Sequence, residues 1–329
     1  MTVSELRHTS LPDKIVCKLL QATEAYTEIE TLLKIYPDLQ DIVIKILFLL
    51  DSHYWARSNA DNVEVNTVIQ DCFTNTPSSY VGRFMNSYQS CKAYAGEKNA
   101  ETGVLTAVDI VKVNHAILSL DGSLLSENNA DFDYMPCIEP FWFILHDLYN
   151  PKLQYPLLLE TAIAFSRFIS FADEEKLSVS TLAILLSNVF GNDSVFGGLI
   201  MQWTLLTDSR RIFSGTEDES TLLHVLNVFE KMWRFQNAIV YRLAKVKADI
   251  LQTLQGQCPS LASPRMAQLL VDTICIRIND LTLKMNISSK TAIHHLKLLE
   301  QSGILHSLKI GRDRFYFNNI YCDLIKNLV

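Results

Sequence analysis

Apolar side chains recur along most of this chain at i, i+3, i+4 and i+7, the spacing that lines one face of an α-helix, and alternating runs are scarce before residue 270. The pattern predicts helices at roughly 12–35, 38–57, 79–95, 106–119, 139–149, 155–172, 178–190 and 195–214, with a long one from about 218 to 254. Punctuation agrees. Pro37 follows the first helix, Pro140 falls in a first turn, and the GNDS stretch at 191–194 separates two apolar runs. The long segment opens on polar capping residues, closes at Gly256, and carries Leu222, Val225, Leu226, Val228, Phe229, Met232 and Trp233 as one wide apolar stripe.

After "QCPSLASPR", which holds Pro259 and Pro264, the pattern changes. "SPRMAQLLVDTI" predicts a helix, "CIRI" a short strand, and "NDLTLKMN" a second helix capped by Asn279. "SSKTAIHHLKLLEQSG" predicts a third helix, with Ser288 at its cap and Gly303 just past its end. "ILHSLKI" and "RFYF" predict strands joined by "GRD" as a wing turn. The expected architecture is mainly α: a helical body over 1–257, with an N-terminal part at about 1–100 and a core at about 101–257, and then a winged helix-turn-helix domain over 258–329.

Composition narrows the class. With 329 residues, 48% of them apolar, and only 11 Gly and 9 Pro, the chain describes an ordered protein. No uncharged apolar run reaches the length of a membrane span, and "MTVSELRHTSLPDK" lacks the basic start and apolar stretch of a signal peptide, so a cytoplasmic protein is expected. Seven cysteines without a Cys-x-x-Cys pair predict reduced thiols, neither a disulfide framework nor a zinc site. The net charge of −7 is uneven: residues 257–329 hold nine Lys/Arg against five Asp/Glu, and the remainder holds 20 against 31. Such asymmetry hints at a module that faces nucleic acid on a body that repels it.

The third helix of the terminal domain carries the sharpest signal. Ala292, Ile293, Leu296, Leu298 and Leu299 are expected to form its apolar face, with Ile287 filling the turn before it. Lys290, Thr291, His294, His295 and Lys297 then point outward in whole or part, and Lys309, Arg312 and Arg314 stand on or beside the wing. Cations spread along a surface suit phosphates, and donors near a helix start suit base edges. The expectation is a double-stranded-DNA-binding regulator, acting as a homodimer that doubles the phosphate contacts. Elsewhere there is no Gly-rich phosphate loop, His-Glu-x-x-His or Gly-x-Ser-x-Gly. "DFD" (131–133) and "DEE" (173–175) read as solvated loop charge, and His53, His115, His146 and His224 are scattered over separate helices. Catalytic residues, cofactor and metal are accordingly expected to be absent.

Several stretches together resemble the Fic family of AMP-transferring enzymes. "LTAVDIVKVNHAIL" (105–118) looks like the helix before the family core, and "MPCIEPFWFILHDLYNPKLQYPLLLETAIAFSRF" (135–168) is similar to the helices that lead to its active site. The long helix and the terminal winged helix continue the same order. The resemblance implies a catalytic motif of the form HPFxxGNGR, with a histidine base, an acidic magnesium ligand, and glycines and an arginine on the nucleotide phosphates. Placed on "AFSRF" (164–168), that motif falls on "ADEEKLSVS" (172–180), where Ala172 replaces the histidine, Lys176 the magnesium ligand, Leu177 and Val179 the glycines, and Ser180 the arginine. "NVFGNDS" offers Phe190, Gly191 and Asn192 without the histidine or the arginine, and "SNADNV" offers Ser58 but puts Asn62 and Val63 where the family's inhibitory Ser-x-x-x-Glu-Gly ends. The expectation is a Fic-like body emptied of its chemistry. The alternatives are a transferase with a rearranged site and a protein-interaction scaffold.

Overall fold

The structure, a computed structural model, describes residues 11–59, 63–74, 79–103, 105–126, 142, 157–171, 181, 184 and 219–328. In chain order its elements are α1 (Asp13–Ile35), α2 (Gln40–Asn59), α3 (Val65–Thr74), α4 (Tyr80–Thr102), α5 (Ala107–Ser119), α6 (Leu157–Phe171), α7 (Glu219–Gln257), α8 (Pro264–Val271), β1 (Cys275–Arg277), α9 (Ile278–Met285), α10 (Ser289–Gln301), β2 (Leu305–Ile310), β3 (Asp313–Asn318) and α11 (Asn319–Lys326). The chain is mainly α and ends in a winged-helix-like arrangement around a three-stranded sheet. No described helix is long and apolar enough to cross a membrane. By packing, the chain divides into two compact units, 1–31 with 77–235 and 32–76 with 236–329.

In the first unit α1 buries Ile15, Ala22, Ala25 and Ile29, and α7 buries Leu222, Val225, Leu226, Phe229, Met232 and Trp233. Lys14 pairs with Glu219 at 2.6 Å and Lys18 donates to Glu230 at 2.8 Å, while the rings of Tyr26 and Trp233 lie 5.5 Å apart. Contacts that advance along both helices together mean that α1 and α7 run parallel. The Lys18 hydrogen bond is the main reason the Glu230 carboxyl stays below its usual range. Phe165 of α6 meets Phe229 at 5.8 Å and completes an aromatic cluster.

Helices α4 and α5 are antiparallel, because Ser87 donates to the Ala116 carbonyl at 2.6 Å and Tyr94 to the Asp109 carboxylate at 2.7 Å. Thr106 and Asp109 start α5 with a reciprocal capping box, and Ser79 caps α4. Helix α4 runs past its expected end at 95 to Thr102, carrying Gly96 inside it, and stops at Gly103, whose φ of 75° is the left-handed conformation glycine adopts at little cost.

The second unit joins α2, α3 and the later part of α7 to the C-terminal segment. The expected break after the long helix is a one-turn 3-10 helix, Pro259–Leu261. The sheet has the order β1-β3-β2, antiparallel throughout, with Ile276 opposite Tyr316 and Ser307 opposite Tyr316 on its other edge. Two helices went unpredicted, and they meet: α3 packs on α11, while Phe73 of α3 and Phe317 of β3 make an edge contact at 6.4 Å. Tyr321 of α11 is fully buried and donates its hydroxyl to the Val271 carbonyl. Asp38 and Lys247 form an ion pair in this unit.

Candidate functional site

Helix α9 starts at Arg277, whose backbone N–H donates to the Asp280 carboxylate at 3.1 Å, so Asn279 lies in the first turn and is not the cap. Asn286 ends α9 in the left-handed region at φ 53°, and its N–H returns to the Thr282 carbonyl. Ser288 then caps α10 as expected, accepting from the Thr291 N–H at 3.1 Å. Beyond α10, Gly303 turns at φ 75°.

Ala292, Leu296 and Leu299 bury the inner face of α10. Lys290, His294 and Lys297 are exposed at i, i+4 and i+7, which makes one outward stripe. Ile293 does not join the apolar face; it is 37% exposed, set between Lys290 and Lys297 at i−3 and i+4. Thr291 is half-buried and its hydroxyl lies 2.9 Å from that of Ser288, so it is held in the cap. His295 is half-buried, its Nδ1 has no hydrogen-bond partner among the described residues, and desolvation, then the neighbouring His294, lower its pKa.

The wing turns through a two-residue loop, Gly311–Arg312, between the paired Ile310 and Asp313. Only Gly311 has a positive φ, 59°, as in a type II′ turn whose twist matches the strands. Lys309 and Arg314 sit directly opposite each other, and both are exposed. Like charges facing across a strand pair destabilise it slightly. Lys290, Lys297, Lys309, Arg312 and Arg314 form no ion pair among the described residues, whereas Arg277 and Lys326 are paired with Asp280 and Asp323. The structure adds two exposed cations that periodicity could not single out: Arg265 donates to the Lys284 carbonyl at 2.7 Å, which brings both to the end of α9 beside the turn into α10.

The other candidate chemistry is less concentrated. No group of three or more His, Cys, Asp or Glu side chains could hold a metal ion among the described residues. His53 is buried, and His115 and His224 are half-buried. His146, the clusters at 131–133 and 173–175, the 172–180 stretch set against the catalytic motif, Phe190, Gly191, Asn192 and Asn62 lie outside the described residues. Burial pushes the thiols of Cys91 and Cys275 up to about 12 and that of Cys322 to about 11, which leaves them protonated and unreactive at neutral pH.

Residues 247–321 match the family model of the C-terminal domain of SoFic-like protein adenylyltransferases. The match begins within the last turns of α7 and covers α8 through β3, under a quarter of the chain. No curated protein matches the chain.

Proposed function

We propose that this chain, related to the Fic family through its C-terminal segment, is a cytoplasmic DNA-binding transcriptional regulator whose helical body has lost the transferase chemistry. One observation carries the reading: five exposed cations, Lys290, Lys297, Lys309, Arg312 and Arg314, stand on α10 and the wing without an acidic partner among the described residues. Unanswered charge on a folded surface is what a phosphate backbone neutralises. His294 shares the lysine stripe and Thr291 anchors its start. A homodimer would present two such modules to double-stranded DNA, and their separation would set the half-site spacing.

The reading is tested by fluorescence anisotropy of the full chain on a mixed-sequence duplex as salt rises from about 50 to about 200 mM. Affinity is expected to fall steeply. Replacing Lys290, Lys297 and Arg312 together by alanine should reduce the log–log slope by about 0.9 for each phosphate that is no longer neutralised. A flat salt response of the intact protein overturns the proposal. The family match favours a second reading, transfer of AMP by a rearranged site. It requires ATP with magnesium to raise the melting temperature, and an unmoved melting curve ends it.

A further inference from the structure

We propose that Ile293 reads the 5-methyl group of thymine in the major groove and so sets part of the sequence preference of α10; the inference rests on the DNA-binding reading of α10 and the wing. Ile293 is 37% exposed. A single apolar side chain in solvent is ordinary on a protein surface, and what distinguishes this one is its position. It stands three residues after Lys290 and four before Lys297, so both exposed lysines are its neighbours on the helix surface.

Glu300 follows Ile293 by two helical turns and shares its flank of α10. The Ser307 hydroxyl donates to the Glu300 carboxylate at 2.5 Å, which turns that flank toward β2. Ile293 accordingly lies between the lysine stripe and the strand that leads into the wing, where Lys309, Arg312 and Arg314 follow. Cations thus stand on two sides of one apolar group, and none of the five has an acidic partner among the described residues. An apolar protein surface laid here would leave those charges unanswered, and lysine is a poor residue for a protein interface. A duplex instead offers phosphates on both sides of its base edges.

Little else on the helix discriminates bases. Planar side chains match a base edge at two points, Arg for guanine and Asn or Gln for adenine, and α10 holds none of them before Gln301, its last residue. Lys290 and Lys297 carry point charges on long flexible stems, which suits phosphates, and Thr291 is engaged with Ser288. Ile293 is short, branched at Cβ and stiff in a helix, so fixing it against a base costs little rotamer freedom. Its methyl groups call for an apolar partner, and thymine's C5-methyl is the apolar group that base pairs present in the major groove.

The experiment selects duplexes from a randomised pool with the full chain, then measures anisotropy on the selected duplex with each thymine in turn replaced by deoxyuridine, which lacks only the methyl. At one position or more the affinity should drop about fourfold, the effect of one methyl group left in water. Ile293→Ala, a change on the exposed side of a helix, should bind thymine and deoxyuridine at that position alike. Its salt slope should stay that of the original protein, because every cation remains. Changing that T·A pair to C·G should weaken binding by the original protein, and 5-methylcytosine in place of the cytosine should recover part of the loss. The inference is overturned if the pool yields no preferred sequence, if deoxyuridine binds like thymine at every position, or if Ile293→Ala keeps the discrimination. In those three cases a steep salt dependence leaves the regulator reading standing, whereas a protein that binds no duplex at all removes both.

Discussion

His295 lies on the border between the buried and solvent faces of α10, and its lowered pKa has a consequence for stability. A histidine that ionises less readily in the folded state than in the unfolded chain, at about 6.5, destabilises the fold as pH drops through that unfolded value, and the loss is complete below the folded pKa. His224 acts in the same direction, through burial first and then Lys231. The melting temperature should therefore decline from neutral to mildly acidic pH, and His295→Gln should remove part of the slope. An unchanged slope in that variant would assign the pH response to other groups. At this scale the sequence was legible where a side chain has one role. Lys290, His294 and Lys297 are solvent-facing as their spacing implied, and Ser288 caps. Ile293 was misassigned because it sits near the edge of the apolar arc, and the neighbouring helices, which spacing alone does not describe, leave it outside.

Among elements, long stripes read clearly and short ones did not. Val65, Val68, Ile69 and Cys72 repeat at helical spacing in α3, but a single amphipathic run of this length, bounded by polar residues, competes with loop. α11 was hidden by its abrupt start: β3 ends at Asn318, whose side chain accepts from the Ile320 N–H and begins the helix at once. Just past the predicted end of α4 stands Gly96, which disfavours helix by propensity. Packing on α5 and the cap at Gly103 override that preference. A Cβ at Gly96 meets no atom within 4 Å. Gly96→Ala should accordingly raise stability by about 1 kcal/mol, read as a higher denaturant midpoint with unchanged m-value; a lower midpoint would mean that the helix needs its glycine.

For the whole chain, the mainly α class and the winged-helix-like end were legible because periodicity and turn chemistry act locally. The grouping into two units was not, since it depends on which distant faces meet: residues 32–76 share a unit with the C-terminal segment. Native-state hydrogen exchange tests that grouping. Val68 is 1% exposed in α3, and Val68→Asp should speed exchange in β3 and α11 as well as in α3. Slow exchange confined to an unaltered β3 and α11 would separate them from α3. The parallel pairing of α1 with α7 reaches furthest. Lys18 and Glu230 are 212 positions apart, so at roughly 5–20 residues per second the ribosome delivers the partner of α1 on the order of 10–40 s after α1 itself. Through that interval Ile15, Ala22, Ala25 and Ile29 have nothing to bury against in α7. The nascent chain thus emerges with an apolar helix face that α7 cannot cover until α7 itself has been made, an exposed surface of the kind that favours aggregation during synthesis.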